Sequence, residues 1–203
     1  MLDPGVLAFA RGALPAPPAR VLEVGAGAGE LATALREGGY DVTAIDPGAG
    51  DGTGVERLAL IDATGTYDAA IAVVSLHHVE PLEASCDHLA ELIAPGGVLA
   101  IDELDIARYD ERATTWWLHQ RRAAGDDEDH DPASILQKMR DHIHPLDAVR
   151  AALEPHFRLG EPVRGPYLHR WHLPPGLRDT EERLIGDGRL PATGARLVGI
   201  RRP

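Results

Sequence analysis

The chain has 203 residues, enough for one domain with a substantial hydrophobic core. Its hydrophobic content of 44% and charged content of 26% are ordinary for a globular protein. With 20 Lys and Arg against 32 Asp and Glu, the formal net charge is −12, which argues against a nucleic-acid or anionic-membrane surface because both need clustered cations.

The first half of the chain alternates helix and strand patterns at short intervals. The first helix ends at the proline-rich stretch PAPPAR, since proline cannot continue a helix. In chain order, the predicted elements are a helix over 4–14, a strand over 21–24, a glycine turn over 25–29, a helix over 30–39, strands over 41–46 and 67–76, a helix over 81–94, and a turn and strand over 95–104. Between the second and third of these strands we expect at most one weak strand, near 57–61. This alternation predicts a parallel α/β sheet.

The second half of the chain has a different character, with more helix and loop. In chain order, we predict a helix over 106–124, an acidic loop over 125–132, a helix over 144–157, a loop over 166–176, a helix near 178–186 and a last strand over 195–202. Nothing in the composition marks a second domain, so we predict one α/β domain.

Cysteine content and hydropathy argue against several further classes of protein. The one cysteine, Cys86, excludes a disulfide framework and a thiolate metal site within one chain. The start MLDPGVLAFARG has an acid where a secretory leader has basic residues, and no run approaches the roughly 18 apolar residues of a membrane-spanning helix. We expect a cytoplasmic monomer or homodimer that binds a small molecule, and no metal, membrane or nucleic acid.

The stretch VLEVGAGAGE, residues 21–30, is an apolar strand followed by Gly25, Gly27 and Gly29. In open α/β sheets, ligands bind beyond the carboxyl ends of the strands, where this turn is predicted to lie. A dinucleotide fingerprint would need glycine at Glu30, and no Gly-Lys-Ser/Thr follows for a phosphate loop. Glu23, two residues before the first glycine, would repel a pyrophosphate but attract an ammonium or sulfonium.

Together with Asp46 at the end of the next strand, these residues resemble the class I S-adenosylmethionine (SAM)-dependent methyltransferases. VTAIDP looks like the second motif of that superfamily, YDAAIAVVSLHHV like its fourth-strand segment and LIAPGGVLAIDE like its fifth. The resemblance covers residues 20–103 and implies a Rossmann-like three-layer sandwich, with a mostly parallel seven-stranded sheet and an antiparallel last strand. It also implies that the cofactor is SAM.

The resemblance further implies which residues contact the cofactor. They are Glu23, Gly25, Ala26, Gly27, Asp46, Pro47, Asp62, Ala63, Ser75 and Leu76. Glu23 would support the methionine end, Asp46 would bind the ribose hydroxyls and Asp62 would reach the adenine amino group. Purely structural alternatives stay open: Glu23 as a buried acid that caps the glycine turn, Asp46 as a helix or turn cap, and Asp62 as a solvated loop carboxylate, because the segment between Asp46 and Tyr67 is short.

Three residues are candidates for a direct part in catalysis: His78, Glu103 and His144. His is the usual base near neutral pH, and Glu103 ends a strand at the edge of the sheet where ligands bind. The alternatives are that His78 only shapes its loop, that His144 belongs to a turn before a helix, and that Glu103 pairs with an arginine. The spacing of His142 and His144 would suit a metal, but no third ligand stands at motif spacing, so we expect no metal.

Substrate contacts are expected from His77, Trp116, Trp117, Tyr167 and Arg170. The two tryptophans cannot both face inward, since neighbours on a helix point about 100° apart. The alternative is that one or both pack in the core, and that Arg170 pairs with a surface acid.

We therefore predict one SAM-dependent methyltransferase domain over 1–203, with an N-terminal helix over 1–19, a cofactor-binding half over 20–105, a substrate cover over 106–175 and a terminal helix and strand over 176–203. The expected reaction is methylation of a small organic molecule by in-line displacement, on oxygen ahead of amine or carbon. Two other classes are a SAM-binding protein of the same fold that transfers no methyl group and an NAD-dependent oxidoreductase, which Glu23 and Glu30 disfavour.

Overall fold

A computed structural model describes residues 2–126 and 131–203. The seven helices within those residues are α1 (Pro4–Ala13), α2 (Glu30–Glu37), α3 (Leu82–Leu92), α4 (Glu111–Ala123), α5 (Pro132–His142), α6 (Leu146–Leu153) and α7 (Arg178–Gly186). The strands are β1 (Arg20–Val24), β2 (Asp41–Ile45), β3 (Tyr67–Val73), β4 (Ile93–Leu104), β5 (Phe157–Leu159), β6 (Val163–Gly165) and β7 (Gly194–Arg201).

The strands form one sheet in the order β2-β1-β3-β4-β7-β5, with β6 paired to another part of β7. The pairs β1–β2, β1–β3 and β3–β4 are parallel, whereas β7 runs antiparallel to β4, β5 and β6. The predicted α/β fold, with a mostly parallel seven-stranded sheet and an antiparallel last strand, is confirmed. It forms because β3 is apolar except at Asp68 and β1 is buried except at Arg20, as is expected of strands covered on both faces.

Helices cover both faces of this sheet. Successive residues of β1 point to opposite faces, so Val21 packs with α1 and α2 while Leu22 packs with α3 and α6. Both residues are fully buried. The result is a three-layer sandwich in which α1 and α2 cover one face of the central strands and α3 and α6 cover the other.

A third apolar cluster lies beyond the carboxyl end of β4, where α4 meets the loop before α7. Its buried members include Leu104, Tyr109, Trp117 and Tyr167. This cluster places the second half of the chain above the edge of the sheet at which the glycine turn ends β1.

The segment between β2 and β3 differs from its prediction. The weak strand near 57–61 does not form, and one isolated bridge pairs Ile45 with Glu56 before a 3-10 turn at Leu60–Asp62. The chain enters this 3-10 turn four residues after the bridge, with Leu60 buried in the core, and so does not continue the pairing as a strand.

Two helices also differ from prediction. The helix predicted over 106–124 begins later, at Glu111, because the Asp110 side chain caps it by accepting a hydrogen bond from the Ala113 amide at 3.0 Å. Helix α5 was not predicted. The acidic loop predicted over 125–132 lies partly outside the described residues, at 127–130. Among the helices that are described, none is long and apolar enough to cross a bilayer.

Candidate active site

The glycine turn lies between β1 and α2, and all three of its glycines have positive φ: 71° at Gly25, 54° at Gly27 and 77° at Gly29. A side chain at Gly25 would place its Cβ 2.3 Å from the Cβ of Ser75. The turn therefore packs directly against the loop that follows β3, which Ser75 reinforces by donating a hydrogen bond from Oγ to the Val24 carbonyl at 2.7 Å. Glycine is required here both for backbone conformation and for space.

Two clefts open on either side of this contact. The first, which we call the Asp46 cleft, has a volume of about 410 Å³ and is lined by Val24, Gly25, Ile45, Asp46, Pro47, Leu58, Ala59, Leu60, Val74, Ser75, His78, Val79, Glu80 and Ser85. The second, the Glu23 cleft, has about 330 Å³ and is lined by Leu2, Asp3, Val6, Glu23, Gly25, Ala26, Gly27, Ala28, Glu30, Leu31, Val73, Val74, Tyr167, Arg170 and Trp171. The clefts share Gly25 and Val74, so an elongated ligand can lie across the glycine turn with one end in each.

Val74 occupies this junction with φ of 54°, a strained conformation for a β-branched residue. Its amide donates a hydrogen bond to the Asp102 carbonyl at 2.8 Å, which helps to hold the strained backbone in place. Such outliers concentrate at ligand sites, so Val74 makes the junction of the clefts the candidate functional centre.

Glu23 lines its cleft with a buried carboxylate whose charge is only partly compensated. The residue is 3% exposed and its Oε2 has no hydrogen-bond partner. Burial raises the pKa of this carboxyl to about 7, although the charge of Arg36 partly offsets the shift. A bound cation would supply the missing partner and favour the ionised form.

Asp46 holds the glycine turn to the end of β2. Its Oδ2 accepts a hydrogen bond from the Gly27 amide at 2.9 Å, and its Oδ1 accepts one from the Gly48 amide at 2.7 Å. The turn-capping role considered from the sequence is therefore present. Because each carboxylate oxygen can accept a second bond, Asp46 can also bind a ligand's hydroxyls in the cleft that it lines.

Glu103 lies beneath the loop after β3 rather than in either cleft. It is 1% exposed, its Oε1 accepts hydrogen bonds from the Ser75 amide at 2.9 Å and the Leu76 amide at 2.7 Å, and its Oε2 contacts His77 Nδ1. These contacts favour a positioning role for Glu103 over the direct part in catalysis that is expected from the sequence. The arginine pairing considered as its alternative is also absent among the contacts of the described residues.

The same arrangement recurs at the second loop that borders the Glu23 cleft. Glu181, fully buried on α7, accepts hydrogen bonds from the Tyr167 and Leu168 amides at 2.8 and 2.9 Å, and contacts His169 Nδ1 at 2.9 Å. The local sequences Ser-Leu-His and Tyr-Leu-His both enter 3-10 turns. In each loop a buried carboxylate therefore fixes the backbone that borders a cleft.

Of the three histidines that are expected at the site, only one lines a cleft. His78 lines the Asp46 cleft, and burial together with the neighbouring His77 lowers its pKa, so it is neutral at pH 7. His77 is buried against Glu103 and lines neither cleft, so the structure does not bring it together with the other residues that are expected at the substrate. His144 also lies outside both clefts, with Nε2 2.9 Å from a Glu80 oxygen and its amide bonded to the His77 carbonyl.

Three further residues expected at the cofactor do not line either cleft. Asp62 is exposed, and Ala63 uses its amide within the 3-10 turn, donating to the Leu60 carbonyl at 3.1 Å. Leu76 is fully buried. The short segment after β2 instead presents Leu58, Ala59 and Leu60 to the Asp46 cleft, a placement that its sequence pattern does not indicate.

The aromatic residues of the cover divide between two surfaces. Trp117 is buried, stacks on Trp171 with ring centroids 4.3 Å apart and donates from Nε1 to the Trp171 carbonyl at 2.8 Å. Trp116 lines a separate groove between α4 and α7, away from the other residues that are expected at the substrate. Trp171 itself lines the Glu23 cleft with Tyr167 and Arg170, and was missed although it directly follows Arg170 in the sequence.

Within residues 2–126 and 131–203, no group of three or more His, Cys, Asp or Glu side chains is arranged to hold a metal ion. The N-terminal segment also contributes to the site, because Leu2, Asp3 and Val6 line the Glu23 cleft. The sequence shows only an amphipathic helix there, and nothing in its pattern indicates which ligand the helix approaches.

Comparison with known proteins gives a consistent result. The family model described as a methyltransferase domain matches residues 4–148. An uncharacterised methyltransferase of Mycobacterium tuberculosis is 37% identical over 101 residues, which cover 43% of this chain and 41% of that protein. The chain thus spans about two fifths of the length of the curated relatives it matches.

Two solved structures share the fold. One is the 1,6-didemethyltoxoflavin N1-methyltransferase of Burkholderia thailandensis with bound 1,6-didemethyltoxoflavin and S-adenosylhomocysteine, with TM-score 0.56 and 17% identity, covering 98% of this chain and 76% of that chain. The other is a SAM-dependent methyltransferase from Mesorhizobium loti, with TM-score 0.59, 17% identity and 96% coverage of both chains. At such identities the likeness concerns the fold.

Proposed function

This chain belongs to the methyltransferase-domain family, whose cofactor is SAM, and from that premise we propose that it methylates a small organic molecule on oxygen. The observation that carries the proposal is the pair of clefts that meet at Gly25 and Val74. Their volumes lie in the range of small-molecule sites, and the formal net charge of −12 disfavours a nucleic acid as the substrate.

The side chains around the clefts fit the proposed cofactor. The unpartnered Oε2 of buried Glu23 suits the ammonium of the methionine moiety, and Asp46 in the other cleft suits the ribose hydroxyls. The glycine turn between them allows a ligand to lie against the backbone. Bound SAM supplies an electrophilic methyl group on a sulfonium.

The chain's own contribution to the reaction is chiefly to position the acceptor. Tyr167 and Trp171 give the Glu23 cleft aromatic walls, and Trp117 supports Trp171 from behind by stacking. Holding two reactants in line replaces a bimolecular encounter and is worth several kcal/mol of the barrier.

We assign the removal of the acceptor's proton to His78, which lines the Asp46 cleft and would act on an acceptor held where the two clefts meet, at Gly25 and Val74. Among the residues that line the two clefts, it is the one histidine. Its lowered pKa leaves it neutral and able to accept a proton at pH 7. Glu103 fixes the loop that carries His78 by binding the Ser75 and Leu76 amides. An acceptor hydroxyl would need such a base, whereas an already neutral amine would not.

The first test is calorimetric titration of the purified protein with S-adenosylhomocysteine, followed by a screen of hydroxylated small molecules read as turnover of the methyl donor. We expect micromolar binding that Asp46→Asn weakens at least about tenfold, since a carboxylate bonded to two hydroxyls contributes on this scale. Asp62→Asn is the matched control, because this exposed acid lies outside the clefts and its replacement should leave binding unchanged.

Absence of binding would overturn the proposal. Binding without turnover on any hydroxylated, amine or carbon acceptor would indicate a SAM-binding protein that transfers no methyl group. Turnover confined to amines would retain the methyltransferase activity and overturn the assignment of oxygen.

A further inference from the structure

The Glu23 cleft has an unusual balance of charge. Three carboxylates, those of Asp3, Glu23 and Glu30, are among the residues lining it, and Arg170 is the one cation in that set. Any anionic group of a ligand in this cleft therefore has a single charged partner available from its walls. Sequence reasoning had placed Arg170 at the substrate.

Arg170 is held in place by its two terminal nitrogens. Nη1 donates to Asp102 Oδ2 at 3.2 Å, Nη2 donates to Asp102 Oδ1, and the guanidinium lies over the Tyr167 ring with 4.9 Å to its centroid. Its side chain is 13% exposed, and its Nε is buried without a hydrogen-bond partner. A buried donor on a charged group is costly to leave unpaired, so Nε points to a missing acceptor.

The charge of Arg170 is only partly balanced by Asp102. The same carboxylate also accepts a hydrogen bond from Arg196 Nε at 2.8 Å, so two guanidinium groups share one buried acid. This leaves net positive charge next to the cleft. Arg196 is not among the residues that line the Glu23 cleft.

Two residues that line the cleft therefore each have a buried side-chain atom without a partner, and their charged groups are of opposite sign: Oε2 of Glu23 and Nε of Arg170. A group that carries an ammonium and a carboxylate on one carbon would satisfy both. We infer that Arg170 binds the carboxylate of the methionine moiety of the cofactor, opposite Glu23, and so selects a ligand with an intact amino acid end. The inference rests on the proposed function, since it takes SAM as the ligand of this cleft.

The test compares S-adenosylhomocysteine with its decarboxylated analogue, which retains the adenosine, thioether and amine. Calorimetric titration of the wild type should give a preference for S-adenosylhomocysteine of about 10- to 100-fold, the range expected of a charge-assisted hydrogen bond. In Arg170→Met this ratio should fall to near one, while affinity for the decarboxylated analogue is retained. That retained affinity also reports that the cleft is folded.

Arg164→Met is the matched control, because it removes a guanidinium that is paired with a different buried acid, Asp105, and that does not line the cleft. It should keep the wild-type ratio. An Arg170→Met variant that keeps the wild-type ratio would overturn the inference, and would favour a contact with the acceptor. Equal loss of both ligands would also overturn it, by assigning Arg170 a purely structural role. Wild-type protein that binds neither ligand would instead overturn the proposed function.

Discussion

At the scale of single residues, the site depends on buried carboxylates in unlike environments. Glu103 and Glu181 are saturated by backbone amides and histidines, so they fix loops. Glu23 is equally buried but keeps an oxygen without a partner. This difference explains why, of these three buried glutamates, only Glu23 is suited to bind a ligand.

Glu23 should make the stability of the ligand-free protein fall as pH rises. Its folded pKa of about 7 lies above the unfolded value of 4.5, so the folded state binds more protons between these values, and ionisation of the buried carboxyl then costs up to about 3 kcal/mol. In Glu23→Gln this loss should disappear from the free energy of unfolding measured by denaturant titration across pH 4.5–7. The exposed Glu37→Gln is the control and should keep the wild-type slope; an unchanged slope in Glu23→Gln would contradict the raised pKa.

His78 should affect turnover more than binding. Replacing it with Asn should lower kcat about 100-fold or more, because a positioned base contributes on this scale. The acid limb of the wild-type profile of kcat/KM against pH should lie below the ordinary histidine pKa, since burial and His77 lower that of His78. Wild-type kcat in the variant would show that the reaction needs positioning alone.

At the scale of elements, the glycine turn and the loop after β3 fit together by shape. Gly25→Ala would add both αL strain, about 1–2 kcal/mol, and a clash with Ser75, whose Cβ lies 2.3 Å from the new methyl group. Gly27→Ala has the same kind of strain but no atom within 4 Å of the new Cβ. Thermal unfolding should therefore show Gly25→Ala at least twice as destabilised as Gly27→Ala. Similar losses in both variants would mean that the contact with Ser75 relaxes readily.

Position on helix α4 also determines which of two neighbouring tryptophans packs beside the Glu23 cleft. Trp116 and Trp117 are neighbours on α4, so they face different surroundings, and the partner of Trp117 comes from a loop 54 residues away. The sequence indicates that only one can face inward. It does not indicate that the inward tryptophan supports another, Trp171, that reaches the cleft.

At the scale of the whole molecule, His169 ties the N-terminal helix to the cover. Its Nε2 contacts Asp3 Oδ2 at 2.9 Å and its Nδ1 contacts Glu181 Oε2 at 2.9 Å, so segments 166 residues apart meet beside the Glu23 cleft. Burial alone would lower the pKa of His169, but the two carboxylates outweigh it and raise the pKa. Arg178, which lies 3.3 Å from Asp3, adds a second cation to this cluster.

Stability from this link should be present below the ordinary histidine pKa and should be lost as pH rises through the raised pKa of His169. Asp3→Asn keeps the cap of α1 but removes one carboxylate, and we expect it to cost on the order of 1 kcal/mol at pH 6 and less at pH 9. Denaturant unfolding at both values tests this, with the exposed Asp41→Asn as the control. An equal cost at both pH values would contradict a role for protonated His169.

The sequence by itself determined strands β1 to β4 and β7, the glycine turn and the acids at the ends of the first two strands, but not the short strands β5 and β6. These follow from local rules: apolar periodicity, turn chemistry and the edge at which parallel strands end. It could not indicate whether Asp62 faces the cofactor, because the glycine-rich segment before it has no apolar periodicity from which the orientation of a side chain could be predicted. Nor could it give helix α5.

The tertiary structure alone decided which polar side chains are free. Glu103, His77 and Arg170 each suit catalysis or binding by residue type, and their roles depend on partners 26–68 residues distant in the chain. A carboxylate that binds two amides and a histidine, such as that of Glu103, positions a loop. A carboxylate that lines a cleft and keeps an unpaired oxygen, such as that of Glu23, is suited to bind a ligand. Because burial and pairing arise only when distant segments pack, no local pattern of the sequence encodes that distinction.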